Sequence, residues 1–322
     1  MLAIGRHVSR LAGYAPALPT PFRDDEGIDF SAFENLCELQ IKHGATALVV
    51  CGTTGESPTL SRGEQRELVG IAVKTAGGRV PVIAGAGSNS TAHAVELARD
   101  AEAAGADAIL SVVPYYNRPT QTGLYEHFRT IVASTGLPVI LYDVPSRTVC
   151  GLSDETIARL AENSQIIGLK DATGDITRLA RLTPLVGPKF RLLTGDDATA
   201  PAFLALGGHG CISVTSNVIP GLCRSMFLWC KHGDIAKVQR LAHPIARLTA
   251  VLFRETNPAP VKYALSLLGL VAPTLRLPLV TPGEQVQGEI SAVLAQLFHQ
   301  YSDQMIGTPR VLERSFCEAV VA

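Results

Sequence analysis

Eight short aliphatic runs recur along the chain at near-regular spacing, and segments with the 3.6-residue apolar period of amphipathic helices lie between them. The runs are continuously apolar rather than alternating, which is typical of strands buried on both faces of a parallel sheet. Repeated strand–helix units without a break in composition predict an α/β fold, a (β/α)8 TIM barrel in preference to an open doubly wound sheet. The predicted strands are residues 15–20, 45–50, 80–84, 106–112, 137–142, 166–170, 190–193 and 210–214.

Capping residues and glycines in the sequence predict where several helices begin and end. Ser61 followed by Glu64 is a capping box, so a helix is expected over residues 62–76. Asp29 precedes a second periodic segment, and a third is expected to open at Ser153. The other predicted helices are residues 30–43, 90–104 and 197–206, the last two ending at glycines.

After residue 222 the strand–helix units give way to helices alone, with apolar periodicity over residues 250–253, 260–268 and 285–301. We therefore predict a barrel domain at residues 1–222 and a C-terminal helical region at residues 223–322 that packs on it. The final twenty residues show no strong pattern and are expected to be loosely held.

Composition excludes several kinds of partner. The net charge is −1 and the basic residues are dispersed, so neither nucleic acid nor an anionic membrane is expected. No apolar stretch reaches transmembrane length. Seven cysteines without a Cys-x-x-Cys pair fit reduced thiols in a cytoplasmic protein. The first twelve residues lack the apolar core and cleavage site of a signal peptide, so we interpret them as a lead-in.

Motifs for cofactors and metals are weak. Gly85-Ala86-Gly87 follows a predicted strand like a dinucleotide-binding turn, but the third glycine of that motif is absent. The sequence has no P-loop, and its eight histidines never pair at metal-ligand spacing. We predict no catalytic metal and no cofactor.

Lys170 is the most informative single residue, because it ends a short buried strand and is followed by a small polar loop. Burying an ammonium group is costly unless the group is paired or loses its proton. An unprotonated lysine is a nucleophile that forms Schiff bases with carbonyl carbon. The alternatives are a solvated lysine at a strand end or one paired with Asp171.

Other unusual residues also fall where predicted strands end, which in a barrel is the rim that carries the chemistry. Strand two runs into Gly-Thr-Thr-Gly-Glu at residues 52–56, where glycines let backbone amides approach an anion. Any one of these residues alone could be an ordinary polar loop residue, but their joint placement at one rim favours a functional site. The remaining segments at this rim are residues 114–119 (Pro-Tyr-Tyr-Asn-Arg-Pro), 142–148 (Tyr-Asp-Val-Pro-Ser-Arg-Thr) and 195–197 (Gly-Asp-Asp).

Together these stretches resemble the dihydrodipicolinate synthase (4-hydroxy-tetrahydrodipicolinate synthase) family of pyruvate-dependent Schiff-base aldolases. The resemblance extends to residues 169–175, 212–217 and 257–262 and covers about residues 13 to 290. It implies a TIM barrel with a C-terminal helical extension and a homotetramer built from two tight dimers. The segment from about residue 298 onward extends past the usual end of the family, and no role is assigned to it.

The resemblance also implies roles for individual residues in joining pyruvate to aspartate 4-semialdehyde, a step of diaminopimelate and lysine biosynthesis. Lys170 would form the Schiff base with pyruvate. Tyr142, Thr53 and Tyr116 would form a proton relay, with Tyr116 reaching in from the neighbouring subunit. The substrate-binding residues would be Thr54 for the pyruvate carboxylate, Arg147 for the carboxylate of the semialdehyde, and Gly195 and Ile212 for the pyruvate pocket.

Two alternative functions remain open on the sequence alone. Another member of the same superfamily, such as an N-acetylneuraminate lyase or a keto-deoxy sugar-acid aldolase or dehydratase, would share the lysine, the tyrosine and the threonine loop. Arg147 and the segment 115–118 favour the synthase. The second alternative, a non-covalent binding protein built on a barrel, is disfavoured by Lys170.

Many relatives are inhibited by lysine, and the positions that match residues contacting it are Ser57, Asn89 and Tyr115. Three other positions depart from the lysine-sensitive pattern. His93 stands where such relatives carry a glutamate, and Arg62 and Gln65 stand where some carry histidines. Because lysine brings two ammonium groups, we expect it to inhibit this protein weakly or not at all.

Overall fold

A computed structural model describes residues 11–307 of the protein. They contain an eight-stranded sheet in which every named strand pair is parallel, in the order β1-β8-β7-β6-β5-β4-β3-β2. A parallel bridge between Ala17 and Val49 links the two ends and closes the barrel. The strands are β1 (Gly13–Pro16), β2 (Leu48–Val50), β3 (Val82–Gly85), β4 (Ala108–Val112), β5 (Val139–Asp143), β6 (Ile166–Asp171), β7 (Arg191–Thr194) and β8 (Gly210–Ser213).

A helix follows each strand from β1 onward, and side-chain caps fix the start of several helices. Ser61 and Glu64 form the predicted capping box, and Asp29 and Ser153 cap the helices that follow them. A single helical turn, Pro145–Thr148, follows β5. The helices up to β8 are α1 (Phe30–Lys42), α2 (Arg62–Ala76), α3 (Thr91–Ala103), α4 (Gln121–Val132), α5 (Asp154–Ala161), α6 (Thr177–Leu182) and α7 (Ala200–Ala205).

The last four helices pack against the β1–β8 side of the barrel. They are α8 (Pro220–His232), α9 (Ile235–Leu252), α10 (Ala259–Leu267) and α11 (Glu284–Tyr301). Their apolar faces share one buried cluster with side chains at β1 and β8, including Tyr14, Cys211 and Val214. A separate cluster of small and aliphatic side chains fills the barrel interior.

The predicted TIM barrel with a C-terminal helical extension is confirmed. The division into regions at residue 222 stays a prediction, and that residue lies inside α8. No helix within residues 11–307 combines the length and the apolar character needed to cross a membrane. The lead-in lies almost wholly outside the described residues.

The sequence predicts that the final twenty residues are loosely held, but some of those that the structure describes pack against the protein. Met305 and Ile306 are buried in the C-terminal cluster, and Ile306 N donates to the Val218 carbonyl at 3.1 Å. Two apolar side chains therefore hold this part of the tail against the barrel. The rest of the tail lies outside the described residues.

Candidate active site

A cavity of about 470 Å³ opens at the carboxyl ends of the strands. Its wall takes residues from the ends of β2, β3, β4 and β5 and from the loop before α10. The wall includes Thr53, Leu110, Val112, Tyr115, Tyr142, Val144, Arg147 and Asn257. A concave, mostly apolar site with a few convergent polar groups at this end of a barrel is typical of an enzyme active site.

Tyr142 lines this cavity, and Lys170 lies directly beside Tyr142. They are register partners on β5 and β6, so both side chains project to the same face of the sheet. Lys170 Nζ lies 4.0 Å from the centroid of the Tyr142 ring, and both residues are buried. Within residues 11–307 no carboxylate lies at ion-pair distance from Lys170 Nζ. Asp171 is engaged instead with Arg178 at 3.4 Å and with Thr173.

Gly195 directly follows β7, the strand next to Lys170, and Ile212 lies on β8, one strand further round the barrel. A Cβ atom at Gly195 would come within 2.5 Å of Lys170 Cε, so only glycine leaves this lysine room to extend. Ile212 is buried in β8 within the barrel interior. Both positions therefore border the Lys170 side chain or the interior that contains it.

A buried carboxylate, Asp197, fixes the end of β8. It accepts bonds from Ser213 Oγ and from the backbone amides of Val214 and Thr215, the latter two at 2.7 and 3.2 Å. Burial raises the pKa of the Asp197 carboxyl, against the opposing effect of these hydrogen bonds. This carboxyl therefore holds the backbone that directly follows β8.

The 52–56 loop after β2 turns tightly, with Gly55 N donating to the Gly52 carbonyl at 3.1 Å. Thr53 lines the cavity, and Thr54 is buried, its Oγ1 accepting from Asn257 Nδ2 at 3.0 Å. A glycine-bordered turn with threonine hydroxyls beside a cavity is suited to bind a small carboxylate.

Glu56 ends this loop in a left-handed conformation and forms a buried ion pair. Its φ is 55°, and its Oε1 lies 2.7 Å from Lys262 Nζ, with both side chains fully buried. Burial lowers the pKa of Lys262 to about 8, although Glu56 acts in the opposite direction. Glu56 Oε2 accepts from the backbone amide of Arg276 at 3.1 Å.

Arg147 and Tyr115 also line the cavity, whereas the neighbouring Tyr116 does not. Arg147 lies in the helical turn after β5, lines the cavity, and donates through Nη2 to the Asn257 carbonyl at 3.2 Å. Tyr115 lines the cavity, whereas Tyr116 is 90% exposed and has a φ of 71°. The cavity wall therefore brings Thr53, Tyr142 and Arg147 together, with Lys170 beside Tyr142 and Thr54 bonded to the wall residue Asn257, whereas Tyr116 is directed into solvent.

An arginine at the start of α6 ties the ends of β5 and β6 together. Arg178 Nη1 lies 2.8 Å from Asp143 Oδ2 and 3.4 Å from Asp171 Oδ2, and its Nε lies 3.0 Å from Asp154. Burial raises the pKa of Asp143 despite this partner. Since Asp143 and Asp171 directly follow Tyr142 and Lys170, the network fixes the strand ends that carry both.

Sequence reasoning assigned no role to Asn257, Lys262, Arg178 or Asp197. Residues 257–262 contributed to the family resemblance, so their motif could be recognised in the sequence. The residues to which the Asn257 and Lys262 side chains donate hydrogen bonds, however, lie more than 200 positions away in the chain. Within residues 11–307 no cluster of three potential metal ligands occurs. The chemistry that the geometry of the site supports is that of an amine beside a phenol, with groups suited to bind carboxylates around it.

Comparison with known proteins gives one family. A model described as the dihydrodipicolinate synthetase family matches residues 10–297. A 4-hydroxy-tetrahydrodipicolinate synthase of Hyphomonas neptunium is 50% identical over 285 residues, 88% of this chain and 97% of that protein.

Solved structures agree with this comparison. The synthase of Methylacidiphilum fumariolicum superposes with a TM-score of 0.88 at 39% identity, covering 91% of this chain and 97% of that one. The chloride-inhibited dihydrodipicolinate synthase of Acinetobacter baumannii, complexed with pyruvate, has a TM-score of 0.86 at 42% identity, covering 88% and 98% of the two chains.

Proposed function

The chain belongs to the dihydrodipicolinate synthetase family, and we propose that it is a 4-hydroxy-tetrahydrodipicolinate synthase. It is a lyase that condenses pyruvate with aspartate 4-semialdehyde in diaminopimelate and lysine biosynthesis. The observation that carries the proposal is Lys170, buried at the end of β6 beside Tyr142 and without a carboxylate partner among the described residues.

The covalent steps begin at Lys170. Its amine adds to the ketone carbon of pyruvate, and loss of water from the carbinolamine gives the Schiff base. Loss of a proton from the pyruvate methyl group gives an enamine, whose carbon attacks the aldehyde of the second substrate. The amine of that substrate then displaces Lys170 from the imine carbon, which closes the ring and frees the enzyme. One water is released overall.

The two substrate carboxylates have separate binding groups. The 52–56 loop, with the Thr54 hydroxyl and nearby backbone amides, is suited to the carboxylate of pyruvate. Arg147 projects a planar guanidinium into the same cavity and is suited to the carboxylate of the semialdehyde. Gly195 and Ile212 leave room for pyruvate around Lys170.

Proton transfer is assigned to Tyr142, Thr53 and Tyr116. Tyr142 is the phenol beside Lys170, and Thr53 lines the same cavity. The 90% exposure of Tyr116 supports a role in a partner's cavity, because a phenol directed into solvent serves no site of its own chain. We propose a homotetramer of two tight dimers, as in the family that the chain resembles, with the relay completed across the dimer, and a cytoplasmic location.

Borohydride trapping tests this proposal. Incubation of the full chain with pyruvate and sodium borohydride should add one reduced pyruvyl group, located at Lys170 by peptide mass spectrometry. A protein that stays unmodified would refute the covalent mechanism and favour a non-covalent binding protein.

A coupled assay then separates the synthase from other aldolases of the superfamily. Turnover with aspartate semialdehyde should exceed turnover with sugar acids or N-acetylneuraminate. The reverse preference would reassign the second substrate while leaving the Schiff base in place. Arg147 is the observation that favours the synthase, since it presents a carboxylate-binding group to the second substrate.

A further inference from the structure

The segment that leads into α10 contacts both halves of the candidate site. Asn257 lies in the loop after α9, and Lys262 lies within α10. Both residues are buried, with exposed fractions of 5% and 0%. Although the two belong to the C-terminal helical region, their polar groups are directed at loops of the barrel rim.

Asn257 joins the groups expected to hold the two substrate carboxylates. Its side-chain amide donates to Thr54 Oγ1 at 3.0 Å, and its carbonyl accepts from Arg147 Nη2 at 3.2 Å. Because Thr54 Oγ1 accepts this bond, its hydroxyl proton is free to donate in another direction. Asn257 therefore sets both the position of Thr54 and the direction in which its hydroxyl donates.

Lys262 holds the far end of the same loop through Glu56. The ion pair is fully buried, and the other Glu56 oxygen is held by the Arg276 amide. A buried pair is strongly destabilised when one partner is removed, because the remaining charge has no compensation. Glu56 also has a left-handed φ of 55°, which is unfavourable for a residue with a Cβ and persists only where the surroundings enforce it.

We propose that Asn257 and Lys262 are positioning residues that fix the 52–56 loop in its pyruvate-binding geometry, so that the C-terminal helical region sets the affinity of the site for pyruvate. This inference rests on the proposed function, because it takes the loop to be the binding site of the pyruvate carboxylate. Neither residue is a catalytic residue, since each acts through Thr54 or Glu56.

The first test replaces Lys262 by a neutral side chain of similar length. Lys262→Met should raise the KM for pyruvate roughly ten- to hundredfold, with a smaller change in kcat at saturating pyruvate, because the loop is misplaced while Lys170 is untouched. Glu56→Gln combined with Lys262→Met removes both buried charges and should bring this KM back toward the wild-type value. Lys237→Met is the control, since Lys237 also forms an ion pair, with Asp234 at 3.0 Å, but on the protein surface.

Asn257→Ala is the second test, and it decides the matter if Lys262→Met does not fold. It should raise the KM for pyruvate more than that for the semialdehyde, because the backbone carbonyl that binds Arg147 is retained. Folded Lys262→Met and Asn257→Ala proteins that both keep this KM within about twofold of wild type would overturn the inference. A wild-type chain that forms no pyruvate adduct would instead refute the proposed function itself.

Discussion

Lys170 and Tyr142 are register partners on adjacent parallel strands, and Lys170 Nζ lies 4.0 Å from the centre of the Tyr142 ring. The arrangement follows from backbone geometry, because paired residues of neighbouring strands project to the same face of a sheet. Each of the two residues is followed by an aspartate that Arg178 binds, and this shared partner holds the two strand ends together. The proposed nucleophile and the proposed proton donor are therefore adjacent in the protein without substrate.

Replacement of Lys170 should abolish covalent chemistry without unfolding the barrel. Lys170→Arg keeps a cation of similar reach, but a guanidinium stays protonated and is not a nucleophile. We expect no borohydride-trapped adduct and a loss of turnover of roughly three orders of magnitude or more. Circular dichroism and thermal unfolding serve as the folding control. Near-normal turnover by this variant would show that another group forms the Schiff base.

Arg147→Ala should separate the two substrates. Loss of a charge-assisted bidentate contact costs a few kcal/mol, or roughly a hundredfold in kcat/KM for the semialdehyde. Adduct formation with pyruvate, followed by mass spectrometry, should change far less. The opposite pattern, with adduct formation lost and the second substrate unaffected, would place Arg147 in the pyruvate site.

Tyr116 and Tyr142 should complement each other if the relay crosses subunits. Tyr116→Phe and Tyr142→Phe are each expected to have reduced turnover, since each removes a proton-carrying hydroxyl. A mixed dimer contains one site with both tyrosines intact, so mixing the inactive proteins should restore part of the activity. Native mass spectrometry must show that the hybrid dimers have formed. Hybrids that form but stay inactive would argue against a shared site.

The sequence predicted best where the determining contacts are local. Ser61 and Glu64 lie three residues apart, and the helix that they cap covers residues 62–76 as expected. The helix expected at residues 197–206 instead begins at Ala200, because the Asp197 carboxylate is bound by Ser213 and Val214 of the next strand unit. A contact across such a separation leaves no periodic signal.

The same limit explains what was missed in the site. Strand periodicity placed Lys170 and Tyr142 at the same rim, since every parallel strand of a barrel ends there. Glu56 and Lys262 are 206 residues apart, and only the folded chain shows that they pair. Their motifs were recognisable, but the interaction between them depends on how α10 packs over the barrel.

Stability should fall in mild acid through His127. This histidine is buried on α4, its Nδ1 lies 2.9 Å from Thr91 Oγ1, and burial lowers its pKa from 6.5 to about 4. As the pH falls from 6.5 to 4, the unfolded chain binds a proton that the folded chain does not. The free energy of unfolding therefore decreases over this window, by on the order of 3 kcal/mol.

His127→Gln should flatten this dependence. Urea unfolding at intervals between pH 7 and about pH 4.5 should show a shallower loss of stability for this variant than for wild type. His299→Gln is the matched control, because it makes the same substitution at a histidine that is exposed on α11. Equal slopes for the wild type and His127→Gln would show that the buried ring takes up its proton without unfolding the chain.

Lysine should inhibit this enzyme weakly or not at all. Of the three positions that match lysine contacts in relatives, Ser57 and Tyr115 line the cavity, as do the departing positions Gln65 and His93, whereas Asn89 does not. Its only acidic wall residue among those described is Glu56, which is already bound to Lys262 and to a backbone amide. An amino acid with two ammonium groups would therefore find no free carboxylate there, and a histidine side chain does not supply the negative charge.

The structure refines the part that Arg62 plays in this expectation. Its guanidinium lies 2.7 Å from Asp100 and 3.0 Å from Glu96, so its charge is largely compensated and repulsion is the smaller effect. The missing carboxylate at His93 is then the main cause, and His93→Glu should make the enzyme more sensitive to lysine. Initial rates at saturating pyruvate, with lysine titrated, measure both proteins. Half-inhibition of the wild type below millimolar lysine would contradict this account, because it would require a free carboxylate, and the described part of the cavity wall has only the already paired Glu56.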